Sequence, residues 1–207
     1  MLERKYGLYI FVKVVRYWGE VLPVRREAMS DNNEKEYGFS FIFTGDGKGK
    51  TTAALGLALR AMGHGKKIYM TPFMKGRVTG EGLAVDRYLP DITLHQCGSD
   101  RFINKDFTEP VDIELAYKGL EAAREAIFSG NYDMVILDEI NVAVEYGLIP
   151  LDALLDIMKN KPFNLYLGLT GRYAKPEAID LADLVTEMKE IKHPYRSGAS
   201  AREGFEY

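Results

Sequence analysis

From Phe39 onward, short apolar runs alternate with longer stretches in which apolar positions recur every three or four residues. Phe39–Phe43, Lys67–Thr71, Ile92–Gln96, Asp133–Leu137, Leu165–Leu169 and Leu184–Met188 read as strands. Between them, Lys50–Met62 reads as a helix that is apolar nearly all round, as suits one buried against a sheet. Thr108 or Asp112 is placed to cap a helix running to about Phe128, with Leu115, Ala116, Leu120, Ala123 and Ile127 along one face. Pro150 opens a helix to about Met158, and Pro176 opens another to Ala182. This alternation predicts an α/β domain with a mostly parallel sheet. The chain before Phe39 differs in character. Tyr9–Val15 and Trp18–Val24 read as a small hairpin turning at Tyr17–Glu20, and Glu27–Tyr37 reads as a polar linker. The pattern therefore divides the chain into an N-terminal appendage and linker, residues 1–38, and a main domain, residues 39–207.

Composition narrows the chemistry. The chain has 207 residues, 46% of them hydrophobic, enough for one ordinary domain with a sizeable core. Lys and Arg number 27 against 30 Asp and Glu, for a formal charge of −3, which argues against broad electrostatic binding of nucleic acid. A local cationic pocket remains compatible with that average. The one cysteine, Cys97, excludes an intramolecular disulfide and a cysteine-based zinc cage, and reads more readily as a buried structural thiol than as a nucleophile. His64, His95 and His193 are far apart and form no metal-spacing motif. No apolar run approaches the roughly 18–20 residues needed to cross a bilayer. The N-terminal patch Leu8–Val12 is interrupted by Lys13 and Arg16 and does not read as a signal peptide. A cytoplasmic location with no membrane partner is expected.

The strongest chemical signal is Gly45-Asp46-Gly47-Lys48-Gly49-Lys50-Thr51, which reads as a fit to the GxxxxGK[ST] pattern of phosphate-binding loops. A predicted strand precedes it and a predicted helix follows it. Its glycines permit a tight turn with N–H groups pointing inward, and these donors, together with the helix N-terminus, hold phosphate oxygens. Lys50 supplies a cation to the phosphates, Lys48 a second one nearby, Thr51 a hydroxyl for Mg²⁺, and Thr52 a secondary phosphate contact. The expected fold is accordingly a P-loop NTP-binding, RecA-like domain.

Two further groups join this loop. Met134–Leu137 is followed by Asp138 and Glu139, carboxylates at a strand end suited to hold Mg²⁺ or its water shell. Adjacent strand residues face opposite ways, so the two have different roles unless the chain turns there. Thr170-Gly171-Arg172 follows another strand, where ligands of parallel sheets bind. Arg172 is suited to phosphate or a carboxylate, with a structural salt bridge as the competing reading. Arg60, on the helix after the loop, is read with equal weight as reaching the nucleotide or pairing with a neighbouring acid.

The stretches FTGDGKGKTTAALGLALRAMGHGKKIYMTPFMKG (43–76), VILDEINVAVEYGLIPLDALLDIM (135–158) and LTGRYAKPEAIDLADLVTEMKEIKHPYRSGASAREGFEY (169–207) resemble the ATP:corrinoid adenosyltransferases, of the cob(I)yrinic acid a,c-diamide or cob(I)alamin type. The resemblance implies transfer of the 5′-deoxyadenosyl group from ATP to a Co(I) corrinoid, with triphosphate leaving. It assigns Gly45, Asp46, Gly47, Lys48, Gly49, Lys50, Thr51, Thr52, Arg60 and Arg172 to ATP. It assigns Thr51, Asp138 and Glu139 to Mg²⁺ or Mn²⁺, and Lys50 and Glu139 to catalysis. It also implies a homodimer and a flavoprotein reductant for the cobalt.

Two features depart from the family pattern. Family members carry Phe and Trp before the long helix to displace the lower axial ligand of cobalt. The corresponding stretch here is Gly98-Ser99-Asp100-Arg101-Phe102-Ile103, which leaves Phe102 and Phe107 as the corrinoid-binding candidates. Family members also carry an N-terminal helix, where this chain is β-prone. The alternatives are another P-loop enzyme, such as an ATPase or nucleotide kinase, and a non-catalytic nucleotide-binding module.

Overall fold

The computed structural model describes residues 36–74, 76, 79–98, 103, 105, 108–198 and 200–205. The predicted N-terminal hairpin lies outside the described residues. The strands are β1 (Ser40–Thr44), β2 (Ile68–Pro72), β3 (Ile92–Leu94), β4 (Met134–Asp138), β5 (Tyr166–Thr170) and β6 (Leu184–Glu187). The helices are α1 (Lys50–Met62), α2 (Gly80–Tyr88), α3 (Pro110–Phe128), α4 (Ile140–Glu145), α5 (Leu151–Asn160) and α6 (Pro176–Leu181), and Pro194–Ser197 forms a 3₁₀ turn.

Among the described residues the strands form one sheet in the order β3-β2-β4-β5-β1-β6, with every pairing parallel. One strand, β5, separates the loop-bearing β1 from the acidic β4, which is the RecA-like arrangement. Parallel alignment brings the carboxyl ends of β1, β4 and β5 to the same edge, where open α/β sheets bind ligands.

Alternate residues of each strand feed two cores, as the pleat requires. Ile42, Tyr69, Val135, Leu137, Leu167 and Leu169 join the side covered by α3, α4 and α5. Phe41, Phe43, Ile68, Met70, Met134 and Ile136 pack against α1 and Val85 of α2 on the other. Strands buried on both faces are apolar without alternation, hence the plain apolar runs in the sequence.

The boundaries are informative. Four of the predicted strands sit one residue further along than their apolar runs, ending on Thr44, Pro72, Asp138 and Thr170. The ladder continues past the apolar residues because pairing uses the backbone whatever the side chain, so Thr44, Asp138 and Thr170 are polar rungs at the carboxyl edge. Helix α1 is not buried all round: Ala54 and Ala58 meet the sheet, while Leu59 is 56% exposed. Only one stripe of a helix lying on a sheet can touch it. Neither predicted residue is the N-cap of helix α3, though Asp112 does take part in its capping. Glu109 is its N-cap, and Asp112 at N3 returns the bond to the Glu109 N–H in a reciprocal capping box. Gly119 lets α3 approach Cys97 closely: a Cβ there would lie 2.8 Å from the Cys97 Cβ.

Helices α2 and α4 have no counterpart in the predicted elements. Helix α2 carries two glycines, and the Thr79 hydroxyl caps it by accepting from Gly82 N–H at 3.3 Å. Helix α4, INVAVE, is rich in β-branched residues of weak helix propensity, but Ile140, Ala143 and Val144 are buried. Burial overrides propensity in so short a segment.

At the centre of the sheet, Gly168 of β5 pairs with Phe41 of β1, and a Cβ at Gly168 would overlap the Phe41 ring. Gly168→Ala is expected to cost about 1–3 kcal/mol by overpacking, read as a lower urea midpoint at unchanged slope.

Candidate active site at the carboxyl edge of the sheet

Strand β1 ends at Thr44 and the chain turns immediately through Gly45, whose φ is 92°. Against GxxxxGK[ST], the first glycine position falls on Thr44, so only three residues separate Gly45 from Gly49 and the loop is one residue shorter than that pattern. The turn begins one residue later because Thr44 is still in the ladder, paired with Glu187 of β6. Gly49, with φ 111°, opens α1 in a left-handed conformation that side chains rarely adopt. The segment after β6 backs the loop: Gly47 N–H donates to the Met188 carbonyl at 2.6 Å. A Cβ on Gly47 would lie 2.7 Å from that oxygen.

Lys50 folds back over its own loop. Its ammonium donates to the carbonyls of Gly45 and Gly47 at 2.9 and 2.8 Å, and the residue is 8% exposed. Burial pushes its pKa down, Glu139 opposes the shift and Arg172 adds to it. Asp46, Lys48 and Thr52 are exposed at the loop and the first turn of α1. The Lys48 ammonium lies 5.4 Å from the centre of the Phe205 ring, so the C-terminal segment also reaches the loop.

The acids take separate roles because the chain does turn between them. Asp138, the last residue of β4, is 1% exposed. One of its oxygens accepts from Thr51 Oγ1 at 2.8 Å and from Thr170 Oγ1 at 2.6 Å. Glu139 follows with φ 60° as the N-cap of α4, and its N–H donates to Thr170 Oγ1 at 2.9 Å. That left-handed turn swings the Glu139 side chain to the cavity that Lys50 and Arg172 also line. For a non-glycine residue such a conformation is uncommon and concentrates at functional sites.

Arg172 reaches the loop from β5, donating to the Asp46 carbonyl at 3.3 Å. Its approach depends on Gly171, φ 125°, where a Cβ would lie 3.2 Å from a Glu139 carboxylate oxygen. Buried Asn141 donates to the Gly171 carbonyl at 3.2 Å and so ties α4 to this turn.

These groups open on a cavity of about 630 Å³. Asp46, Gly47, Lys48, Lys50, Glu139 and Arg172 contribute polar groups to its lining. Met74, Ile103, Val142, Tyr146 and Tyr173 contribute apolar surface, and Glu190, His193 and Tyr195 complete the wall from the C-terminal segment.

The structure therefore brings the loop, Thr51, Asp138, Glu139 and Arg172 together. It does not bring Arg60 to them. Arg60 is exposed in the last turn of α1, ten residues and about 15 Å along the helix from Lys50, and it does not line the cavity. Phe102 and Phe107 lie outside the described residues. Sequence reasoning overlooked Thr170, Asn141, Tyr146 and Tyr173. Thr170 stands in the Thr-Gly-Arg segment, so its position was available, but its partnership with Asp138 comes from strand pairing. Cys97 is buried, and burial raises its thiol pKa, against a nucleophilic role.

Thr51, Asp138 and Glu139 are a hard-oxygen donor set beside the phosphate loop and fit Mg²⁺ or Mn²⁺. Among the described residues no cluster of three His, Cys, Asp or Glu competes with them. Thr170→Val removes the hydroxyl that serves both Asp138 and the Glu139 N–H while conserving shape. It is expected to destabilise the chain by roughly 1–3 kcal/mol in chemical denaturation.

The family model described as ATP:corrinoid adenosyltransferase BtuR/CobO/CobP matches residues 36–207. A corrinoid adenosyltransferase of Sinorhizobium sp is 37% identical over 184 residues, spanning 88% of this chain and 86% of its own. That of Escherichia coli K12 is 32% identical, spanning 84% of this chain and 88% of its own. A KaiC-like protein of Pyrococcus horikoshii is a remote structural likeness, at 17% identity and TM-score 0.46 over 75% of each chain, and adds nothing to the assignment. With the family match spanning the whole described domain, loop, acidic strand end and Thr-Gly-Arg turn included, the chain belongs to the ATP:corrinoid adenosyltransferase family.

Proposed function

We propose that the protein transfers the 5′-deoxyadenosyl group of ATP to the cobalt of a corrinoid reduced to Co(I). The observation that carries this reading is the mixed lining of the cavity: loop groups and the cations Lys48, Lys50 and Arg172 together with the apolar and aromatic side chains of Met74, Ile103, Val142, Tyr146 and Tyr173. A hydrolase has only water to seat beside the nucleotide, and a nucleotide kinase a second polar nucleotide. An adenosyl transfer must also seat a large ring beside the ribose.

In this reading Gly45, Asp46, Gly47, Lys48, Gly49, Lys50, Thr51 and Thr52 hold the triphosphate. Lys50 leaves the carbonyls of Gly45 and Gly47 to meet it, and Arg172 adds a further cation from the turn after β5. Thr51, Asp138 and Glu139 hold Mg²⁺ or Mn²⁺, which when bound offsets charge on the triphosphate. A contact from Arg60 requires the nucleotide to extend over the outer face of α1.

The cobalt–carbon bond forms as the bond from C5′ to the triphosphate oxygen breaks. The electron pair for the new bond comes from Co(I), and triphosphate departs with the pair of the old one. No side chain has to transfer a proton. The work of Lys50, Glu139 and Arg172 is to hold the leaving group in line and to stabilise the charge that gathers on it.

The chemistry resides in residues 39–207, with 1–38 as appendage and linker. Phe102 and Phe107 are proposed to face the corrinoid. The protein is proposed to act as a cytoplasmic homodimer supplied by a flavoprotein reductant, without nucleic-acid or membrane partners. Among the described residues no helix is long and apolar enough to cross a membrane.

Anaerobic incubation with Mg-ATP, strong reductant and a corrinoid should yield a light-sensitive cobalt–carbon product and one equivalent of triphosphate. Orthophosphate or ADP alone overturns the reading. Lys50→Ala should lower turnover by about 10²-fold or more while circular dichroism shows the chain still folded. Retained turnover would remove the loop from the mechanism.

A further inference from the structure

Away from the phosphate loop, one carboxylate is clasped by two ammonium groups from different parts of the chain. Glu145 is the last residue of α4. Its Oε1 accepts from Lys105 Nζ at 2.6 Å and its Oε2 from Lys175 Nζ at 2.6 Å. The Glu145 side chain is 19% exposed, against 56% for Lys105 and 34% for Lys175. The two lysines hold the Glu145 carboxyl down at about 2, so it is ionised at any working pH.

The positions of the three partners give this cluster a meaning beyond a surface ion pair. Lys105 follows buried Ile103 by two residues, in the segment between β3 and α3. Lys175 follows Tyr173 by two residues and is the N-cap of α6. Tyr173 itself has φ 64°, a conformation that neighbouring structure must impose. Glu145 sits next to Tyr146 on a helix whose Val142 and Tyr146, four residues apart, share a face. Ile103, Val142, Tyr146 and Tyr173 all line the cavity, and they come from three separate segments. Glu145 is where those segments are joined by charge.

We propose that Glu145 is a positioning residue for the apolar side of the cavity, setting the spacing of Ile103, Tyr146 and Tyr173 through its bonds to Lys105 and Lys175. This rests on the proposed seating of the corrinoid against that side. The phosphate side is held separately, by the Asp138, Thr51 and Thr170 hydroxyl bonds, so loss of the clasp reaches one substrate and spares the other. Partly exposed ion pairs contribute little to global stability, so the chain tolerates the loss.

The test uses the full chain and two readouts. Glu145→Gln keeps the shape and removes the charge. It is expected to raise the KM for reduced corrinoid roughly 5- to 10-fold and to leave the KM for ATP within about twofold. Amide hydrogen exchange should quicken in 172–175 and around Lys105. The double variant Lys105→Arg with Lys175→Arg keeps both charges opposite Glu145 and should retain wild-type values. An unchanged corrinoid KM in Glu145→Gln, or both KM values and kcat falling off together, overturns the proposal. If the wild-type chain makes no cobalt–carbon product, the functional reading fails by itself. The exchange comparison then still decides the clasp: unaltered exchange in Glu145→Gln overturns it.

Discussion

A carboxylate buried at the end of a central strand has to be given hydrogen-bond partners, and the arrangement of this site follows from how that is done. Asp138 is almost fully covered, and leaving its charge unpaired there would cost several kcal/mol. Its partners are hydroxyls from two other segments, Thr51 at the head of α1 and Thr170 at the end of β5. One oxygen therefore joins the phosphate loop, the acidic strand and the Thr-Gly-Arg turn. Thr170 also accepts the Glu139 N–H, which supports the left-handed turn that sends Glu139 to the cavity. The sheet order makes this possible, because β5 lies between β1 and β4 and its last residue reaches both neighbours.

The protein thus separates two mechanical tasks. Below the carboxyl edge, both faces of the sheet are filled by aliphatic and aromatic side chains. At the edge, β4 and β5 end in polar residues, Asp138 and Thr170, that belong to the ladder and to the site at once. Further out, Asn141 ties α4 to Gly171, and Glu145 ties the far end of the same helix to Lys105 and Lys175. Helix α4 is only six residues long, yet Glu139 at its start faces the phosphate side and Tyr146 after its end lines the wall. Its two ends therefore contribute to different parts of the cavity lining, each held by its own partners.

Much of this was legible in the residues. The apolar runs located all six strands, because strands covered on both faces need apolar side chains throughout. Gly-Lys-Thr at a strand-to-helix junction marked the phosphate loop, and Asp-Glu after an apolar run marked the opposing strand end. Residues whose importance lies in a partner distant along the chain were illegible. Thr170 is an ordinary threonine until β5 pairs beside β4. Arg60 drew attention as a cation on an apolar helix, and the geometry of that helix carries it away from the cavity. Helices α2 and α4 escaped notice because glycines and β-branched residues speak against helix, and only packing makes them one. The shortened loop was readable by counting: Thr44 stands where the longer pattern has glycine.

By itself the sequence determined the period of the six strands and of α1, α3, α5 and α6, the presence of a phosphate-binding turn and the family, since these depend on residues close together in the chain. The tertiary structure decided which carboxylate is buried and which faces the cavity, how α4 is tied to the Thr-Gly-Arg turn, and that Glu145 is shared by two lysines. Those outcomes depend on strand order and on where loops meet, contacts between residues 30 to 87 positions apart. No local pattern encodes them, because their energy exists only once the sheet has brought the partners within hydrogen-bonding distance.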